Sequence, residues 1–182
     1  MRVAVYGGSF NPPHVAHAMV ASWLLWTDLA DEVWLVPVYR HAFEPWHGKT
    51  LAPFERRLAL CEAMARDVSP RVRVCDIERD LPVPSYTVET LSALQQRNPQ
   101  HQLRLVVGAD VLPTLPKWRD WATIEARYAP VVVGRQGYEG PDGSVPFPDI
   151  SSTAIRDRLE RGLSVRGLVT RSVALSLEEN GL

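Results

Sequence analysis

The feature that most constrains the fold is the alternation of short apolar runs with helical stretches along the chain. Continuous apolar runs, each typical of a strand buried on both faces, lie at 2–6, 32–38, 72–78, 103–108 and 129–134. Helical periodicity covers the intervening and following stretches, at 15–30, 53–68, 86–97, 120–128, 150–162 and 169–181. This pattern predicts an α/β fold with a doubly wound parallel sheet of about five to six strands, helices on both faces and C-terminal helices.

The alternation continues without a linker or an internal repeat, so residues 1–182 are expected to form a single Rossmann-like domain. Residues 136–149, rich in Gly, Pro and Asp, are expected to form a loop. In parallel sheets of this kind, ligands bind beyond the carboxyl ends of the strands. Three segments follow predicted strands, and they are therefore expected to form one site: 7–14, 39–50 and 108–110.

Charge and cysteine content argue against several classes of function. The formal net charge is -1, which disfavours a broad surface for nucleic acid or anionic membranes. Cys61 and Cys75 fall in a predicted helix and a predicted strand, and we expect them to be reduced. The chain starts with a strand pattern, and no apolar run approaches the roughly 18 residues of a membrane span. We therefore expect a cytoplasmic protein that binds neither nucleic acid nor membrane.

The stretch GGSFNPPHVAH, residues 7–17, lies where the first predicted strand passes into the first predicted helix. Gly7 and Gly8 let the backbone turn tightly and approach a ligand, and the helix start offers free N–H groups and a positive dipole end. His14 and His17 lie one helical turn apart, so they can point the same way. Each can donate a charge-assisted hydrogen bond of about 1.5–3 kcal/mol to a phosphate oxygen. The stretch therefore predicts a clamp for a reacting phosphate.

Two other roles for these histidines were weighed against the phosphate clamp. A zinc site would need further Cys ligands, or a helical Glu with the second His four positions on, and neither accompanies the pair. We therefore assign no metal ligand. The second alternative treats both imidazoles as structural side chains. The glycines and prolines that precede them favour the phosphate clamp.

A second anion site is predicted in ISSTAIRDRL, residues 150–159. Ser151, Ser152 and Thr153 can cap the start of a helix. Arg156 lies one turn further on, on the same side as Ser152 or Thr153, so hydroxyls, free N–H groups and a guanidinium come together. A plain N-cap with a solvent-facing arginine is the open alternative.

These two stretches together resemble the nucleotidyltransferase family that carries H-x-G-H near its start and ISST-x-(I/V)-R near its end. Within it, three further segments resemble the bacterial nicotinate-nucleotide adenylyltransferases, which make deamido-NAD and pyrophosphate from nicotinate mononucleotide and ATP: PSYTVET (84–90), VVGAD (106–110) and LPKWRDWATI (115–124). The resemblance runs in order along nearly the whole chain. Two departures are Ala16, where the family usually has glycine, and the altered, lengthened loop at 36–50.

The resemblance implies a role for each group of residues. The catalytic residues would be His14, His17 and Arg156. The ATP-binding residues would be Gly7, Gly8, Ser9, Phe10, Gly108, Asp110, Ser152 and Thr153. The acceptor-binding residues would be Thr87, Trp118, Arg40, His41 and Lys49, the last three in the altered loop. For Trp118, packing in the core is the alternative to stacking on a pyridine ring.

The resemblance also implies partners and a mechanism. The partners would be ATP and nicotinate mononucleotide, with Mg²⁺ carried by ATP, and a homodimer is compatible with the sequence. The 5′-phosphate of the mononucleotide would attack the α-phosphorus of ATP in line, with no general base and no covalent intermediate. Two alternatives stay open: a same-fold adenylyltransferase for nicotinamide mononucleotide or pantetheine phosphate, and a non-catalytic nucleotide-binding module.

Overall fold

In the computed structural model, which describes residues 1–41, 51–138, 140–141 and 144–182, six strands form one sheet of order β3-β2-β1-β4-β5-β6. Every neighbouring pair is parallel. The strands β1 to β6 are Arg2–Gly8, Glu32–Pro37, Val72–Val74, Gln102–Gly108, Val131–Arg135 and Pro146–Phe147. The predicted α/β fold with a parallel, Rossmann-like sheet is therefore confirmed.

Helices cover both faces of this sheet. The helices α1 to α6 are Val15–Trp26, Phe54–Val68, Thr87–Arg97, Trp121–Tyr128, Ser152–Glu160 and Arg171–Asn180. Ala4 faces a core shared with α1, α2, α5 and α6, whereas its neighbours Val3 and Val5 face a second core shared with α3 and α4. Successive strand residues point to opposite faces, so both faces must be covered to bury such runs. Within the described ranges, no helix is long and apolar enough to cross a membrane.

The two central strands, β1 and β4, position the site. The chain leaves β1 toward α1 on one face, and it leaves β4 through a 3₁₀ segment, Ala109–Lys117, toward α4 on the other face. Because these connections diverge, a crevice opens beyond the carboxyl ends of the two strands. Gly8 and Gly108 end the two strands at this crevice.

Three sequence predictions of local structure differ from what the structure shows. The strand expected at 72–78 ends at Val74, and Ile77–Asp80 form a 3₁₀ turn that buries the Glu78 side chain. The loop expected at 136–149 contains β6, because Phe147 pairs with Arg135 and its ring packs 5.9 Å from that of Trp23 in the core. The first predicted helix also ends at Trp26 instead of residue 30.

Candidate active site

The crevice holds two adjoining cavities that share a wall. The first cavity, of about 410 Å³, extends from Gly7 and Gly8 to the start of α3 and Trp118. The second cavity, of about 480 Å³, extends toward the start of α5. Both are lined by His14, His17, Asp110 and Arg135. One edge of the sheet therefore brings together three segments: those after β1 and β4, and the first residues of the 39–50 segment. Residues 42–50, which include the predicted site residue Lys49, lie outside the described residues.

The loop between β1 and α1 is held in shape by side chains from two distant helices. Arg57 of α2 donates to the Ser9 carbonyl at 2.9 Å, and Arg156 of α5 donates to the Asn11 carbonyl at 2.7 Å. The Ser152 hydroxyl donates to the Pro12 carbonyl at 2.8 Å. With its carbonyls bound in this way, the loop is fixed before any ligand arrives.

The side chain of Phe10 anchors the same loop by packing in the core. Its φ is 45°, in the left-handed region, and its buried ring packs edge-on against His17 at 4.9 Å between centroids. A Cβ at Gly8 would come within 3.2 Å of this ring, so a larger residue would crowd it. The Phe10 side chain is therefore part of the core, while Ser9, Phe10 and Asn11 line the second cavity.

The two histidines form a stacked pair at the start of α1. Their ring centroids lie 3.7 Å apart, and the His14 backbone N–H donates to His17 Nδ1 at 3.1 Å. A neutral imidazole that accepts at Nδ1 carries its proton at Nε2. His17 therefore presents an Nε2–H donor, and both rings line both cavities.

Burial keeps this pair uncharged in the free protein. Burial lowers the pKa of His14 from 6.5 to about 4, with a further contribution from the Arg135 charge. The pKa of His17 is lowered well below 6.5 by burial, by His14 and by Arg135. The predicted bonds from these imidazoles to a phosphate would therefore be assisted by the charge of the phosphate, and the positive charge at this site in the free protein rests on guanidinium groups.

Arg135, at the end of β5, is a site residue that the sequence analysis missed. It is paired with Asp110 at 2.7 Å and with Asp149 at 2.8 Å. Asp110 folds back over Gly108, where a Cβ would lie 2.3 Å from its carboxylate oxygen. Arg135 directly follows the apolar run of a strand, as residues 108–110 do, so the rule that selected those residues could have found it.

The start of α5 closes the second cavity. The Ser151 side chain caps the helix by accepting from the Ala154 N–H at 3.2 Å. Arg156 is half-buried and directed at the loop after β1, with a second contact to the Thr153 hydroxyl at 3.3 Å. The alternative of a solvent-facing arginine is therefore wrong, although the helix does have its N-cap.

The far end of the first cavity lies at the start of α3. Thr87 begins that helix, and the Arg119 guanidinium lies 3.4 Å from the centroid of the Tyr86 ring while pairing with Glu89 at 2.7 Å. Trp118 lines the cavity, and it also packs edge-on against Trp121 at 6.1 Å in the second core. The two interpretations of Trp118, core packing and ligand contact, are thus compatible. Tyr86 and Arg119 were not predicted.

The chain that leaves β2 forms one wall of the first cavity. His41 Nε2 lies 2.9 Å from the Ser9 hydroxyl. The Arg40 backbone pairs with Ser85, whose N–H donates to the Arg40 carbonyl at 2.8 Å. His41 lines both cavities, whereas Arg40 is not among the residues that line them.

Comparison with known proteins identifies the family. The model described as Cytidylyltransferase-like matches residues 5–158. The chain belongs to the cytidylyltransferase-like family. A relative from Anaeromyxobacter sp. strain K, named probable nicotinate-nucleotide adenylyltransferase, is 48% identical over 99% of this chain and 95% of its own. A relative of the same name from Myxococcus xanthus is 39% identical over 100% of this chain and 94% of its own.

Solved structures share the fold of this family member. Plasmodium falciparum nicotinic acid mononucleotide adenylyltransferase complexed with NaAD superposes with a TM-score of 0.80 at 16% identity, covering 100% of this chain and 96% of that one. A Vibrio parahaemolyticus structure described as a putative nicotinate-nucleotide adenylyltransferase has a TM-score of 0.73 at 23% identity, covering 99% and 93%. At these identities the likeness shows the fold.

Among the residues that the structure describes, the side chains at the site form no ready-made metal centre. In the described part of the chain, no group of three or more His, Cys, Asp or Glu residues is placed to hold a metal ion. The Asp110 carboxylate, which lines both cavities, is already paired with Arg135. A divalent cation at this site would therefore depend on oxygens that a ligand brings with it.

Proposed function

We propose that this protein transfers the adenylyl group of ATP to nicotinate mononucleotide, forming deamido-NAD and pyrophosphate. The observation that carries the proposal is the continuity of the site. The histidine pair and Arg156 line the second cavity, and the first cavity runs from the same histidines to the start of α3 and Trp118. The names of the relatives with 48% and 39% identity support the same activity.

ATP is proposed to lie across the shared wall. The backbone of the loop from Gly7 to Phe10 would approach its phosphates, while Gly108 and Asp110 would face the adenosine. His14 and His17 would bind the α-phosphate. At the start of α5, the Ser152 hydroxyl already donates to Pro12, so the helical N–H groups of Ser152 and Thr153, together with Arg156, would hold the β- and γ-phosphates.

The chemistry requires positioning and neutralisation of charge. A 5′-phosphate oxygen of the mononucleotide forms a bond to the α-phosphorus of ATP. The bond between the α-phosphorus and the oxygen that bridges it to the β-phosphorus breaks, and its electron pair leaves with pyrophosphate. The nucleophile is already an anion, so no general base is required. The His17 Nε2–H would donate to a non-bridging α-oxygen, and the nearby polyphosphate would raise the imidazole pKa and strengthen this bond. Mg²⁺ would arrive with ATP, held by phosphate oxygens and water.

The acceptor is proposed to occupy the far end of the first cavity. The indole of Trp118 would stack on the pyridine ring. The first turn of α3, at Thr87, would offer backbone N–H groups and a positive dipole end to the nicotinate carboxylate. A carboxamide is uncharged and gains less from such a helix start, so nicotinate is favoured over nicotinamide.

A pyrophosphate-release assay with ATP and a panel of acceptors tests the proposal. We expect rapid release with nicotinate mononucleotide, and slow release with nicotinamide mononucleotide or pantetheine phosphate. Rapid release with one of the other acceptors alone would replace the acceptor assignment while keeping the reaction type. Binding of ATP without release in any arm would favour a non-catalytic nucleotide-binding module.

A further inference from the structure

A buried carboxylate that the proposed mechanism does not use lies in the wall of the first cavity. Glu78 is 7% exposed, and it belongs to the 3₁₀ turn after β3. Its Oε2 accepts the Tyr39 backbone N–H at 2.9 Å, and its Oε1 accepts the Thr90 hydroxyl at 2.9 Å. One carboxylate therefore ties the chain that leaves β2 to the first part of α3.

The segment that begins at Tyr39 continues to the phosphate loop. Arg40 pairs through its backbone with Ser85, just before α3, and donates its N–H to the Ser85 hydroxyl at 3.3 Å. His41 follows, with its Nε2 2.9 Å from the Ser9 hydroxyl. A continuous hydrogen-bonded path thus runs from α3 through Glu78 and residues 39–41 to the loop after β1.

The position of Glu78 suits an acceptor with two oxygens. Both partners of Glu78 are donors, an N–H group and a hydroxyl, and an ionised carboxylate accepts at both oxygens at once. A buried charge is costly unless it is paired and hydrogen-bonded. The buried Arg57 is a nearby cation: burial lowers its pKa, and the negative charge of Glu78 opposes that effect. Arg57 itself donates to the carbonyl of Ser9, the residue whose hydroxyl contacts His41 of the segment that Glu78 holds.

We propose that Glu78 is a positioning residue for the acceptor nucleotide. Through Tyr39 and Thr90 it holds the 39–41 segment at a fixed distance from the first turn of α3. These two segments are neighbouring parts of the wall of the cavity in which the pyridine mononucleotide would bind, and they also meet at Ser85, so their relative position sets how well the acceptor is seated. The inference rests on the proposed function, because it concerns the acceptor end of that site.

The test compares Glu78→Ala and Glu78→Gln with a matched control. Glu78→Ala should raise the KM for nicotinate mononucleotide by about 10- to 100-fold, with a smaller fall in kcat and an ATP KM within about twofold of wild type. Glu78→Gln should recover most of the loss, because its amide oxygen accepts from Tyr39 while the Thr90 hydroxyl rotates to accept from the amide.

The control is Glu32→Ala, at the start of β2 and therefore at the opposite edge of the sheet. Glu32 is 8% exposed and also has two partners, Trp34 at 2.8 Å and Arg73 at 2.7 Å. Loss of this carboxylate should lower the unfolding temperature without a selective change in the acceptor KM. The same lack of selectivity in Glu78→Ala would overturn the inference.

Two further outcomes are decisive. If Glu78→Ala does not fold, Thr90→Val removes one of the two bonds at nearly constant volume, and it should still raise the acceptor KM several-fold; an unchanged KM rejects the positioning role. If wild-type protein does not use nicotinate mononucleotide, the proposed function fails and the inference fails with it. Active wild type with unchanged acceptor KM in the variants rejects the inference alone.

Discussion

The two ends of the site are built in different ways. The phosphate end comes from two short stretches of sequence, 7–17 and 151–156, in which neighbouring residues supply the loop, the helix starts and the ligating side chains. The acceptor end is assembled from four separate segments: 39–41, 77–80, 85–87 and 118–119. Neighbouring residues thus supply most groups of the first end, although long-range bonds from Arg57, Ser152 and Arg156 brace its loop. The second end is assembled across separate segments.

The two ends also handle charge differently. The phosphate end places guanidinium groups around two imidazoles that burial keeps neutral. At the acceptor end Arg119 is paired with Glu89, and Glu78 accepts two hydrogen bonds. At the phosphate end Arg135 is likewise paired, but Arg156 donates to a neutral carbonyl. In the proposed function, the phosphate end would select by charge, whereas the acceptor end would select by the shape of its walls and the dipole of α3.

The largest expected effect comes from removal of one imidazole at the phosphate end. His17→Ala should lower kcat by about 10²- to 10³-fold, because it deletes a donor that acts on the α-phosphate in the transition state. The ATP KM should change far less. Steady-state pyrophosphate release measures both constants. His101→Ala is the control, since that ring lies 5.8 Å from Trp34 at the opposite edge of the sheet. Near-full turnover in His17→Ala would make the histidine structural and remove the contrast between the two ends.

The neutral state of the histidines predicts how stability depends on pH. The pKa of His14 is about 4 in the folded protein, below its ordinary value of 6.5. Between those values the unfolded chain binds a proton that folded His14 does not, so stability falls as pH drops from 6.5 toward 4. The His14 contribution reaches about 3 kcal/mol. Urea unfolding at pH 7 and pH 4.5 measures this loss.

Carboxylates titrate in the same range, so the informative quantity is the difference between wild type and His14→Asn. The variant should lose less stability on acidification, because an amide does not titrate in this pH range in either the folded or the unfolded chain. Equal losses in the two proteins would mean that His14 is free to become charged at the phosphate end. The two ends would then differ less in charge than the structure indicates.

The contrast between local and long-range construction also explains which parts of the site could be predicted from the sequence. The sheet, the order of its elements and the stretches that meet at the crevice were predictable because apolar runs, helix starts and the 14/17 spacing are local patterns. Glu78 was missed because its stretch resembled a strand, and its partner Tyr39 lies 39 residues away. Arg135 was missed although it follows a strand as residues 108–110 do; its pairing with Asp110, 25 residues away, is visible only in the structure. The charge state of the histidines depends on burial, which a local pattern does not specify.

The smallest effect is expected at the acceptor end, from loss of the indole that lines it. Trp118→Ala should raise the KM for nicotinate mononucleotide by about tenfold, the magnitude of one lost aromatic stack, with little change in the ATP KM. Trp118→Phe, which keeps an aromatic face, should recover part of the loss. Trp26→Ala is the control, because that side chain is 82% exposed on α1. Trp118 also packs against the second core, so some loss of stability is expected in the alanine variant. Reduced stability with an unchanged acceptor KM would assign the indole to core packing alone. The pyridine ring of the acceptor would then have to be bound by the 39–41 segment that Glu78 holds in place.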